Sequence, residues 1–252
     1  MDLALMRSET SRHLRRAGTV RFGLLAVFVA AAVPVANALG SQSLSRASVL
    51  DALDNVSLIA VVTAAVWGAG VIGSWFSNGV ALALAVWRPR RTTTVLVELT
   101  VVAAIAALLA VGTYLTFAIG VVFWSQRSRA DTDAIIDALV ATAGPFVVAV
   151  GAAAVLGACL SFVFRSTAAS VGIIIGLGFF GEALLATLIG LLTGTGGRSV
   201  LGWLPIQGVL QITARGTTLL SAGGPPAGVA GGVWVALLVL VALSVHQRRE
   251  LR

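Results

Sequence analysis

The chain has 252 residues, of which 58% are hydrophobic and 11% charged, and its mean hydropathy is +0.99. A soluble domain carries about 25% charged residues and cannot hide this much apolar surface in one core, so the composition excludes a soluble globule and predicts an integral membrane protein. All 17 basic side chains are arginine; a chain without lysine can form neither a Schiff base nor a P-loop, whose lysine grips the nucleotide phosphates.

In chain order, residues 1–20 carry Leu3, Leu5, Met6 and Leu14 among arginines, which suits a short amphipathic helix on the inner membrane surface. A crossing helix needs about 20 apolar residues, and six segments qualify: 22–40, 56–80, 95–124, 134–163, 168–193 and 228–246. The first has a rival reading as a signal peptide cut near Ala36-Asn37-Ala38, but its apolar run is long enough to span and is kept as a helix. Alternating strand patterns are absent, against a β-barrel. Between the fifth and sixth spans, residues 194–227 contain an apolar stretch from Val200 to Ile212 and the helix-breaking Gly223-Gly224-Pro225-Pro226. A short extracellular re-entrant or interfacial hairpin fits this better than a free loop. The predicted fold is all-α and polytopic, one transmembrane domain over 1–252. It comprises the N-terminal segment 1–20, a six-helix bundle over 21–246 and a tail at 247–252.

Arginine placement orients the bundle. With the N-terminus in the cytoplasm, twelve arginines fall inside and five outside: Arg46, Arg127, Arg129, Arg198 and Arg215. The loop acids Asp51, Asp54, Asp131 and Asp133 also fall outside, and both termini lie inside. The net charge of +7 is therefore a topology signal, and no nucleic-acid partner is expected.

The most informative local sequence joins the second and third spans. Ser77-Asn78-Gly79 is a small polar break. Val80 to Trp87, with Leu82 within it, is apolar but too short to cross, and Arg88-Pro89-Arg90-Arg91 closes the segment. This reads as a short helix beneath the membrane, presented to a partner. The alternative is that the second span continues to Val86 and the arginines are anchors.

The order of these features resembles the permease subunits of type-2 ABC exporters. Gly79, Pro89 and Arg91 match that family's pattern, while Trp75, Val80 and Glu98 stand where an acid, a threonine and a lysine are usual. The likeness extends to the basic N-terminal stretch, the Arg165-Ser166-Thr167 turn before the fifth span, an acid in that span, Leu204-Pro205 after it and the C-terminal Arg-Arg-Glu-Leu. The resemblance implies a permease in the plasma (inner) membrane that pairs with a second copy, or with a different permease, and binds a separate ATPase subunit. ATP and Mg would be held by that ATPase, with no cofactor in this chain. The segment Ser77, Asn78, Gly79, Val80, Leu82, Arg88, Pro89, Arg90 and Arg91 would couple the two.

Two acids lie at membrane depth, where charges are rare and face protein or water. Glu98, just inside the third span, is read first as a near-interface acid reaching the headgroups, and second as a partner of Arg88, Arg91 or the N-terminal helix. Glu182, midway along the fifth span, is either structural or a proton or cation site. Asp137 is read as interfacial on the outer side. Ala168, Gly172 and Gly176 place small residues at the spacing that lets helices approach closely, and Gly224, Gly228 and Gly232 do the same entering the sixth span. Asn55-Val56-Ser57 matches a glycosylation sequon and is discounted. One cysteine, Cys159, allows no internal disulfide, and His13 and His246 have no metal-ligand spacing. No catalytic constellation is visible, so the chain is not expected to be an enzyme by itself. A proton-coupled transporter using Glu182 and a non-transporting scaffold or immunity protein remain as alternatives.

Overall fold

The first described helix, α1 (Arg46–Ser77), opens at a reciprocal cap. Ser45 Oγ accepts the Ser48 backbone N–H, and the Ser45 N–H donates to Ser48 Oγ at 2.9 Å, which satisfies donors that a helix start leaves open. The computed structural model describes residues 45–79, 91–128, 131–176 and 229–248, with isolated positions at 21, 28, 32, 181, 184, 185, 187, 188, 191, 209 and 212. The N-terminal stretch 1–20, most of the predicted first span, most of the predicted hairpin over 194–227 and the last four residues lie outside them. The other helices are α2 (Arg91–Ser128), α3 (Thr132–Phe164), α4 (Thr167–Ile175) and α5 (Val229–Arg248).

Three helices are long and apolar enough to cross a membrane: those containing Ala47–Ser77, Thr92–Gln126 and Thr132–Phe164. They run to 32, 38 and 33 residues, about 48, 57 and 50 Å at ~1.5 Å per residue. Val229–Val245 in α5 is apolar but shorter. The described residues are thus helical, and three of their helices have the length and composition of membrane spans.

The second predicted span, 56–80, is corrected at both ends. Asp51 and Asp54 belong to α1, not to a loop, because Val49, Ala52, Leu53 and Val56 already follow the buried helical spacing while Asp51 and Asn55 take the exposed side. Hydropathy alone misses this amphipathic beginning. At the other end α1 stops at Ser77, so the helix does not run on to Val86.

Helix α3 is the post of the bundle. Contacts Ala65 to Gly157 and Ala69 to Ser161 rise together in number, so α1 runs parallel to α3. Contacts Ala103 to Gly151 and Tyr114 to Thr142 run oppositely, so α2 is antiparallel to it. These are the directions of three consecutive crossings. The α1–α3 seam is made by absent side chains: a Cβ on Gly68 would overlap the Ala154 carbonyl, and one on Gly157 the Ala65 carbonyl. Ser161 Oγ donates to the Ala69 carbonyl at 2.9 Å across the seam. In a bilayer, where lipid tails are as apolar as leucine, such close approach and interhelical hydrogen bonding hold helices together.

The α2–α3 pair is held differently, by bulk and one polar clasp. Phe117, Phe146 and Ile105 are fully buried. The Tyr114 hydroxyl donates to the Leu139 carbonyl and meets Thr142 Oγ1 at 2.7 Å. Thr142 Oγ1 in turn donates to the Ala138 carbonyl at 2.8 Å. The clasp lies one turn before Pro145, which removes a helix hydrogen bond inside α3.

Candidate functional site

The predicted partner-facing segment begins where α1 ends, and the ending is built into the backbone. Ser77, Asn78 and Gly79 are exposed. The Asn78 N–H donates to the Ser74 carbonyl at 3.1 Å, and the Gly79 N–H to the Phe76 carbonyl at 3.4 Å. Gly79 has φ 68°, the left-handed conformation that closes helix C-termini and that costs about 1–2 kcal/mol for a residue with a Cβ. Open space surrounds the position a Cβ would take, so the backbone, not crowding, requires glycine here. Val80, Leu82, Arg88, Pro89 and Arg90 lie outside the described residues. Arg91 opens α2.

The α3–α4 turn is packed against this ending. Arg165 caps α3 with φ 53° and donates its N–H to the Ser161 carbonyl at 2.9 Å. Ser166 then caps α4, its Oγ accepting the Ala169 N–H at 3.3 Å. Two contacts tie the turn to α1. The Arg165 guanidinium carbon lies 5.9 Å over the Phe76 ring, within cation–π range. Gly73 sits so close to Thr167 that a Cβ would overlap its Oγ1. Phe162 meets both Trp75 and Phe76 edge-on, with centroids 6.2 and 6.3 Å apart. Trp75, which stands where the exporter family has an acid, is thereby a buried anchor for the last turn of α1.

The intramembrane residues divide. Glu98 is fully buried by protein, about 10 Å along α2 from Arg91. Glu182 lies outside the described residues. Gly172 and Gly176 are exposed, and a Cβ on either would meet nothing within 4 Å, so among the described residues they form no close helix contact. Gly232 is likewise open. Asp137 is exposed near the start of α3. Asn55 is exposed and Ser57 is 1% exposed, both within α1.

Sequence reasoning missed the residues that assemble the corner. The Gly68/Gly157 seam carries a readable signal, Ala65-x-x-Gly68-Ala69 facing Ala154-x-x-Gly157-x-x-x-Ser161, but glycine and alanine are common throughout this chain. The Arg165–Phe76 contact has no local signature. Once the geometry is set beside known proteins, neither the protein-family models nor the curated proteins give a match to this sequence.

Proposed function

We propose that the chain is the permease subunit of an ATP-driven exporter of the ABC type-2 kind, working as a dimer in the plasma (inner) membrane with a separate ATPase subunit. The observation that carries this reading is the arrangement between α1 and α2. The first ends on Gly79 in a left-handed conformation and the described part of the second opens at Arg91, so residues 80–90 connect the two helices. Their composition, an apolar stretch closed by Arg88-Pro89-Arg90, suits a short surface helix seated in a partner's groove. The neighbouring α3–α4 turn gives such a partner a second purchase on the same side of the bundle. Nucleotide chemistry belongs to the partner, since a chain without lysine cannot build a P-loop.

Purification through a tag on this chain tests the proposal. An ATPase subunit should co-purify, and replacing Arg88, Arg90 and Arg91 together by alanine should abolish its association while leaving the melting temperature of the permease unchanged. If the chain alone, in proteoliposomes, carried out transport driven by a proton gradient and lost it on Glu182→Gln, the exporter reading would fall to the secondary transporter. If neither an ATPase nor any transport were found, a scaffold role would replace it.

A further inference from the structure

The corner where α1 ends has a lopsided set of attachments. Helix α1 packs extensively on α3 and on α4, and only slightly on α2, although α2 is the helix that follows it in sequence. Its last turn is gripped by Phe162 under Trp75 and Phe76, by Thr167 against Gly73 and by Arg165 over the Phe76 ring. Arg165 does this from a left-handed backbone conformation, φ 53°, which a glycine would adopt without strain. Glycine is the usual residue where a helix closes in this way. An arginine here keeps a strained backbone and gains a cation over an aromatic face.

We propose that Arg165 is a positioning residue that locks the end of α1 to the α3–α4 turn, so that a displacement of the last turn of α1 is delivered to α4. The inference deepens the reading of 80–90 as the partner-contacting segment and rests on it. The mechanical path has three links. The segment is continuous with Gly79 and the last turn of α1. Phe76 and Gly73 in that turn bear on Arg165 and Thr167. Thr167 is the first residue of α4, so a push on the turn becomes a rotation or tilt of that helix. Ser161 joins the lock to the seam: its carbonyl accepts from Arg165 and its hydroxyl donates to Ala69. The α1–α3 pair therefore resists the push, and α4, the other described helix packed closely on α1, is left to respond.

The test uses the full chain in proteoliposomes, with the buried Cys159 replaced by alanine and a single spin-labelled cysteine placed at Asn78, Ala169 or Thr93. All three positions are exposed, and they report the end of α1, the first turn of α4 and the first turn of α2. Arg165→Gln and Phe76→Leu should each raise the mobile fraction about two- to fivefold at 78 and 169, the shift expected from losing one exposed cation–π contact, and should leave 93 unchanged. Combined, they should do no more than Phe76→Leu alone, because Arg165→Gln removes only a contact that Phe76→Leu already removes, while Phe76 has its own contact with Phe162. Arg165→Lys should preserve the native spectra. Arg165→Gly separates lock from cap: it relieves the backbone strain, so a pure capping role predicts equal or lower mobility, whereas the lock predicts a rise. No change at 78 and 169, or an equal change at 93, overturns the lock. A second arm measures ATP hydrolysis and transport by the complex purified through this chain. Arg165→Gln should lower transport per ATP while hydrolysis persists, and unchanged transport per ATP overturns the coupling role. If no ATPase co-purifies, the exporter reading falls and takes the coupling role with it, while the spin-label result still decides whether the lock exists.

Discussion

Two stretches of this molecule carry small residues at helical spacing, and they do opposite things. Along the α1–α3 seam, Gly68 and Gly157 let backbone meet backbone, with no room for a Cβ at either. Along α4, Gly172 and Gly176 are exposed, with no described neighbour within 4 Å of where a Cβ would sit. The spacing is the same, so spacing alone does not make a contact. What differs is the opposing surface. The seam sets Ala65 and Ala69 against Ala154 and Ser161, so both helices are smooth at the crossing, and a serine hydroxyl finishes it with a hydrogen bond. No described helix presents a matching surface to the outer face of α4.

The sharpest way to break this comparison is to fill the seam. Gly157→Val should destabilise the protein by about 3 kcal/mol, the upper range for overpacking, because its Cβ meets a backbone carbonyl that cannot rotate away. Thermal unfolding in detergent would read this as a large drop in melting temperature, and an unchanged value would mean the helices lie further apart than described. Next in size, Gly79→Ala forces a Cβ into the left-handed region at about 1–2 kcal/mol, with partner binding lost before the bundle melts. ATPase co-purification set against melting temperature separates the two effects. Tyr114→Phe removes the clasp between α2 and α3. Interhelical hydrogen bonds in membranes average about 0.6 kcal/mol, so a modest loss in denaturant midpoint is expected, and none at all would make the clasp ornamental. At the small end, Gly172→Ala and Gly176→Ala should be neutral or stabilise α4 by up to about 1 kcal/mol through helix propensity. A marked loss of dimer on size-exclusion chromatography, with the monomer still folded, would instead reveal that the second copy covers this face.

How far the sequence foretells this architecture depends on the range of the interaction involved. The long apolar helices are legible, since a long apolar run declares itself locally; the beginning of α1 is not, since Asp51 and Asn55 ride on the outside of a helix whose inner side is already buried. The stop at Ser77-Asn78-Gly79 is legible because a polar break followed by glycine is a local backbone instruction. The grip of Arg165 on Phe76 is invisible in one dimension, because it joins residues on helices that meet only after α3 has docked on α1. Glu98 misleads for a related reason: its distance from the helix start suggests a side chain that reaches the surface, and the tertiary packing closes over it.

The connection between α2 and α3 has a consequence for how the chain enters its membrane. Only residues 129–131 separate Ser128 from Thr132, so the two helices form an antiparallel hairpin whose ends are closed at small entropic cost. Neither can cross the bilayer and leave the other behind. Their clasp at Tyr114 and Thr142 is available as soon as the hairpin forms, whereas the parallel seam with α1 brings together partners far apart in the chain. A defect in the seam should therefore loosen α1 while α2 and α3 stay together.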